Sequence, residues 1–117
     1  MHELSVTENI VEIATRHARG ADAQRIVRIH LVIGELSSIV DDSVQFYFDF
    51  LSRDTIAAGA ELVFCRLPVA VRCAACGHQW EPGAQGAGAD WTCPTCGEAQ
   101  AQVVQGREFY VDSIEVE

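Results

Sequence analysis

Two groups of residues in this 117-residue chain have the types and spacing to hold a metal ion. Four of its five cysteines fall as Cys73-Ala74-Ala75-Cys76-Gly77 and Cys93-Pro94-Thr95-Cys96-Gly97. Sixteen residues separate Cys76 from Cys93, so the pattern is C-x2-C-x16-C-x2-C, the spacing of a four-thiolate zinc site. Two intervening residues let both sulfurs of a tight turn reach one ion, and the following glycines allow the positive φ such turns need. Four soft donors suit tetrahedral Zn²⁺ and leave no corner for a reactive water, which points to structural rather than catalytic zinc. An iron–sulfur cluster is a minor alternative for the same donors. Redox chemistry of the thioredoxin kind would use one C-x-x-C on a βαβ frame. Trp80 and Trp91 flank the knuckles and are expected to cover them, whereas Cys65 stands apart and reads as a small strand residue.

The second group is Met1-His2-Glu3, directly before a helix signal. Initiator Met is removed only before small residues, so Met1 and its amine are expected to persist beside His2. That amine, the His2 and Glu3 backbone nitrogens and the His2 imidazole offer fused chelate rings around one ion. A planar nitrogen set suits Ni²⁺ or Cu²⁺ rather than Zn²⁺; copper wins on raw affinity, so its availability must exclude it. The plainer reading is a chain end that carries a histidine by chance. Among the other histidines, His78 reads as a surface residue or an outer donor to zinc ahead of a site for pH-sensitive rearrangement, His30 as solvated and His17 as a helix-end residue.

The elements that must position these groups are legible in the hydrophobic pattern. Ser5-Val6-Thr7-Glu8 is a capping box that predicts a helix over residues 5–19, with Val6, Ile10, Ile13, Ala14 and His17 as its buried stripe and Gly20 as its left-handed close. Met1, His2 and Glu3 then lie outside that helix. Alternation over residues 25–35, with Val27, Ile29, Leu31 and Ile33 on one side and Arg28 and His30 on the other, predicts a strand. A second helix starts near Asp41 or Asp42, either of which can cap it, and ends before Gly59. Val44, Tyr47, Phe48 and Leu51 form its core stripe; Phe46 and Phe50 form a second apolar face, expected to be buried elsewhere in the fold. Glu61 to Val71 reads as one β segment running past Pro68, and Arg107 to Glu117 as a strand with a bulge. The expected fold is α+β, a small mixed β-sheet with two helices, built from residues 1–68 and 104–117. A zinc-ribbon lobe at 69–103 is inserted into it. Such a lobe is too small to fold unaided, and zinc supplies on the order of 10–16 kcal/mol of apparent binding energy.

Composition narrows the functions. Apolar residues make up 49% of the chain, enough for a core. All eight basic residues are Arg, there is no Lys, and seventeen acids give a formal charge of −9. That balance opposes a phosphate backbone and disfavours the alternative of a zinc-ribbon nucleic-acid binder, leaving a protein-interaction module as its other form. No apolar run approaches a membrane span and no secretory signal is visible, so a cytoplasmic location with reduced thiols is expected. There is no nucleophile–base motif, phosphate loop or open metal site, so an enzyme is not expected.

Met1-His2-Glu3-Leu4-Ser5, Gly34-Glu35-Leu36-Ser37, Ala58-Gly59-Ala60-Glu61-Leu62, the two knuckles and Ile114-Glu115-Val116-Glu117 occur in that order. Together they resemble the HypA/HybF hydrogenase nickel-incorporation family over essentially the whole chain. The resemblance implies a non-catalytic nickel metallochaperone. It carries over His2 as the principal nickel ligand with Met1 and Glu3 beside it, and Cys73, Cys76, Cys93 and Cys96 as ligands of structural zinc. The partners it implies are a HypB-type GTPase and the large subunit of [NiFe]-hydrogenase, with urease as a further client in some bacteria, and a monomer or homodimer as the working form.

Overall fold

The computed structural model describes residues 2–82 and 91–117, with the backbone alone at His2. The fold is α+β, with two helices and two three-stranded sheets. The chain divides into two compact units. One comprises Met1–Val32, Ser38–Cys65 and Phe109–Glu117; the other comprises Ile33–Ser37 and Arg66–Glu108. No described helix is long and apolar enough to cross a membrane.

Helix α1 spans His2–Gly20, strand β1 Ile26–Gly34, helix α2 Asp41–Leu51 and strand β2 Glu61–Leu67; both helices lie in the first unit, and the last two residues of each strand belong to the second. Helix α1 starts three residues before the predicted capping box. Ser5 therefore sits inside the helix rather than capping it, Glu8 has no role in a box, and the Glu3 carbonyl accepts the Thr7 hydroxyl within the first turn. Nothing in His2-Glu3-Leu4 breaks a helix, and Glu3 in the first turn complements the helix dipole. The buried stripe is also rotated from the expected one. Thr7, Ile10, Ala14 and Ala18 are at most 1% exposed, while Val6 and Ile13 are half-buried and His17 is exposed. Small Ala14 and Ala18 let the neighbouring elements approach closely, and apolar periodicity alone does not register that. At the helix end the left-handed residue is Asp22 (φ 56°), not Gly20.

Helix α2 packs on α1 and buries Val44 and Phe48 completely. Its N-cap is Val40, in extended conformation and without a side-chain cap. Asp41 and Asp42 instead occupy the first turn, where their charge favours the helix start. Phe46 and Phe50 are 70% and 63% exposed, so the expected burial of this second face does not occur. Each lies about 200° around the helix from Phe48, and an eleven-residue helix turns one stripe inward. Arg53 lies over the Phe50 ring, 5.4 Å from its centre.

The predicted β segment 61–71 is broken at Pro68, which has no N–H for a ladder. β2 ends at Leu67, and strand β3 begins at Ala70 and runs to Cys73. Strands β4 (Gln79–Trp80), β5 (Ala101–Gln105) and β6 (Phe109–Val116) complete the set. The sheet orders are β2-β1-β6 and β4-β3-β5. Gln24 bonds to Glu117 and Gly34 to Glu108, so β1 and β6 run antiparallel. Along β6 the half-buried residues change phase between Val111 and Ile114, as the sequence pattern anticipates.

On β1, Arg28 bonds both Glu61 (2.7 Å) and Glu115 (2.6 Å), and His30 Nε2 lies 2.6 Å from the second Glu115 oxygen. His30 is therefore hydrogen-bonded to the carboxylate that Arg28 pairs with, rather than simply solvated. That imidazole, with Arg28 behind it, holds the Glu115 carboxyl below the usual carboxylate range.

Candidate metal centres

The four paired cysteines converge. Cys73 ends β3, whose register is Cys73↔Ala101 with β5 and Arg72↔Gln79 with β4. Val71, fully buried, anchors this small sheet. The two knuckles then repeat one backbone design. Gly77 N–H donates to the Cys73 carbonyl (2.8 Å) and Gly97 N–H to the Cys93 carbonyl (2.9 Å). The chain returns one residue later, with Cys73 N–H on the His78 carbonyl (2.8 Å) and Cys93 N–H on the Glu98 carbonyl (2.9 Å). Both glycines have positive φ, 80° and 78°, as the sequence requires of them.

This repetition sets all four sulfurs within 4.8 Å of one another, with Cys73–Cys96 and Cys76–Cys93 at 3.6 Å. A tetrahedral zinc with Zn–S bonds of about 2.3 Å has sulfur–sulfur edges of about 3.8 Å. The donor set and its dimensions thus fit one Zn²⁺. In each knuckle the first cysteine is buried (1% and 2% exposed) and the second is exposed, so the site lies at the surface of its unit.

Backbone amides supply the outer shell. The Cys76 sulfur accepts the His78 amide and the Cys96 sulfur the Glu98 amide. Cys93 accepts Thr95 (3.4 Å) and Cys96 amides. Desolvation pushes the Cys93 thiol up, but those amides and the neighbouring thiols bring it down to about 6. At Cys96 the Glu98 amide pulls the other way, yet burial and three adjacent sulfurs push the thiol up to about 12. Four thiolates this close cannot all be ionised without a cation among them, and a divalent metal resolves that conflict. The outer donor expected of His78 is its backbone, while its exposed ring stacks on Trp80 at 5.8 Å. The repeated C-x-x-C-G-x hexapeptide was the signal for these amides. Cys65 is exposed on β2 and outside the quartet.

Of the N-terminal group, Met1 and the His2 side chain lie outside the described residues. The structure places the His2 backbone at the first position of α1, so the expectation that Met1-His2-Glu3 stands clear of the helix is corrected for His2 and Glu3. The Glu3 carboxylate accepts the Val40 N–H (3.3 Å) at the start of α2. Its own backbone amide, together with that of Val40, keeps this carboxyl below the usual range despite the opposing effect of desolvation. Sequence periodicity does not reveal this link, because it joins the starts of two helices.

Residues 1–116 match the family described as "Hydrogenase/urease nickel incorporation, metallochaperone, hypA". The chain belongs to the HypA family. A hydrogenase maturation factor HypA from Dehalococcoides mccartyi is 45% identical over 117 residues, covering 100% of this chain and 95% of that protein. One from Caldanaerobacter subterraneus subsp. tengcongensis is 40% identical over 119 residues, with both chains fully covered. Among solved structures, a solution structure of HypA protein aligns with a TM-score of 0.79 and 25% identity, covering 100% of this chain and 97% of the other. The nickel metallochaperone HypA from Helicobacter pylori aligns at 0.68 and 24% identity over 97% and 96%, a likeness of fold. Membership of a family described by nickel incorporation and hydrogenase maturation thus joins the four-cysteine metal site.

Proposed function

We propose that the chain is a cytoplasmic nickel metallochaperone. It holds Ni²⁺ at its N-terminus through Met1 and His2, keeps Zn²⁺ as a structural ion on Cys73, Cys76, Cys93 and Cys96, and hands nickel to the maturing large subunit of [NiFe]-hydrogenase alongside a HypB-type GTPase. The zinc lobe at 69–103 is an insertion in a nickel domain of 1–68 and 104–117. The observation that carries the nickel reading is the start of α1 at His2. The first amides of a helix have no acceptor four residues back. The His2 nitrogen is therefore not used by the helix, and the positive helix start stabilises it once it has lost its proton.

Stereochemistry narrows the donors. In a square plane each donor has only two neighbours at right angles. The His2 nitrogen closes a five-membered ring with the Met1 amine and a six-membered ring with its own imidazole, which uses both adjacent corners. The Glu3 nitrogen would need a third. Its use would also require the His2 ψ to approach zero, away from the helical value near −42°, whereas the amine–amide–imidazole set leaves α1 intact. Glu3 then acts by holding the first turn through Val40, and the fourth corner takes another donor.

The test is a nickel titration of untagged, zinc-loaded protein against His2→Ala and against a version extended before Met1. Loss of one nickel per chain in both variants, with one zinc retained, supports the reading. Full nickel binding by His2→Ala sinks it.

A further inference from the structure

We propose that the groove between α1 and the outer edge of β6 receives an extended, basic segment of a partner protein as an added β-strand. Two adjoining cavities of about 310 and 330 Å³ share Ile13 and Val111 and so form one trough. One wall is the half-buried side of α1. The other is β6 from Phe109 to Ile114 without a gap. A cavity on one face of a strand touches every second residue, because side chains alternate. One cavity touches Phe109 to Val111 and the other Val111 to Ile114, so together they take in the half-buried Phe109, Val111 and Ile114 and the exposed Tyr110, Asp112 and Ser113, which sets the trough along the strand's edge.

Among the described residues β6 is an outer strand in the order β2-β1-β6, and an outer strand carries N–H and C=O groups that its inner neighbour does not use. Six residues span about 20 Å, enough for a partner strand of five or six residues that pairs through its main chain and drops alternate side chains into the trough. The trough's apolar lining comes from Val6, Ile10, Ile13 and Val111, and Tyr110 stands 47% exposed at its rim.

Charge selects the occupant. Further along β6, Glu115 and Glu117 are paired with Arg28 and Arg25, and on α1 the Arg16 guanidinium lies 4.0 Å from Glu12. Asp112, exposed in the trough, has no such partner among the described residues. A second copy would bring a further net charge of −9 and no lysine, so self-pairing is opposed over long range. A strand of apolar residues alternating with Lys or Arg meets both the lining and Asp112.

The experiment uses full-length, zinc-loaded, nickel-free protein, so it is independent of the nickel proposal. The probe is an end-capped peptide of alternating Val and Lys, six residues long. The expected result is saturable binding with slowed amide exchange over Phe109–Ile114. Binding should weaken about tenfold for Asp112→Lys, and be lost when alternate probe amides are N-methylated. Equal binding of the methylated probe, no response to Asp112→Lys, protection elsewhere, absence of binding, or self-association through β6 would each overturn the proposal.

Discussion

The Glu3 carboxylate accepts the backbone N–H of Val40 at 3.3 Å, which joins the first turn of α1 to the uncapped start of α2. A carboxylate at a helix start satisfies an orphan donor and complements the dipole. Glu3→Ala should lower the unfolding midpoint and speed amide exchange at residues 40–44 without releasing zinc, while Glu3→Gln retains part of the effect. Because this carboxyl is held below its ordinary range, its contribution is present above the unfolded pKa of about 4.3 and disappears as pH falls through the lower folded value. The difference between wild type and Glu3→Gln should therefore shrink between pH 5 and 3.

At the proposed nickel site the His2 imidazole would bind the metal in competition with protons. An ordinary imidazole titrates near about pH 6.5, and the amide donor must also lose its proton. Affinity measured by titration should fall at least tenfold between pH 7.5 and 5.5, and unchanged affinity would remove His2 from the ligand set. His78→Ala, which alters an exposed ring stacked on Trp80, should leave that profile unmoved.

The zinc site was the most legible part of the sequence, because C-x-x-C-G specifies both the donors and the turn that aims them. Helix and strand identities were legible for the same local reason. What periodicity misplaced depended on partners distant in sequence. The stripe of α1 follows the small residues Ala14 and Ala18, which apolar counting undervalues, and its start moved to His2 because nothing in His2-Glu3-Leu4 breaks a helix and Ser5 is tolerated inside one. Phe46 and Phe50 were expected to be buried because of their residue type, yet α2 turns only Val44 and Phe48 fully inward. The joining of Arg28, His30, Glu61 and Glu115 depends on strand neighbours, which no local pattern encodes.

That network should respond to acid and salt. Glu115 is stabilised as a carboxylate by His30 and Arg28, so its contribution is held above the ordinary Glu pKa and lost as pH drops through the depressed folded value. All four side chains are partly exposed, and such pairs are weak and screened. Glu115→Gln should lower the unfolding midpoint slightly in low salt, with the difference fading at 1 M NaCl. A midpoint difference independent of salt would mean that packing, not charge, is what Glu115 contributes.

The knuckle glycines allow backbone strain to be separated from ligand loss. At Gly97 an added Cβ would meet nothing within 4 Å, so Gly97→Ala introduces no clash, only a side chain at φ 78°. A non-glycine residue in that region costs about 1–2 kcal/mol, which weakens zinc roughly five- to thirtyfold in a chelator competition. Cys96→Ser removes a ligand outright and should release zinc and expose the amides of Arg66–Glu108, while those of α1 and α2 stay protected. If Gly97→Ala instead released zinc as completely as Cys96→Ser, the turn would be contributing far more than its conformational cost. The repeated Gly77 and Gly97 bonds to the preceding cysteine carbonyls would then have to carry the difference, and Gly77→Ala, with equally open space and φ 80°, should show the same loss.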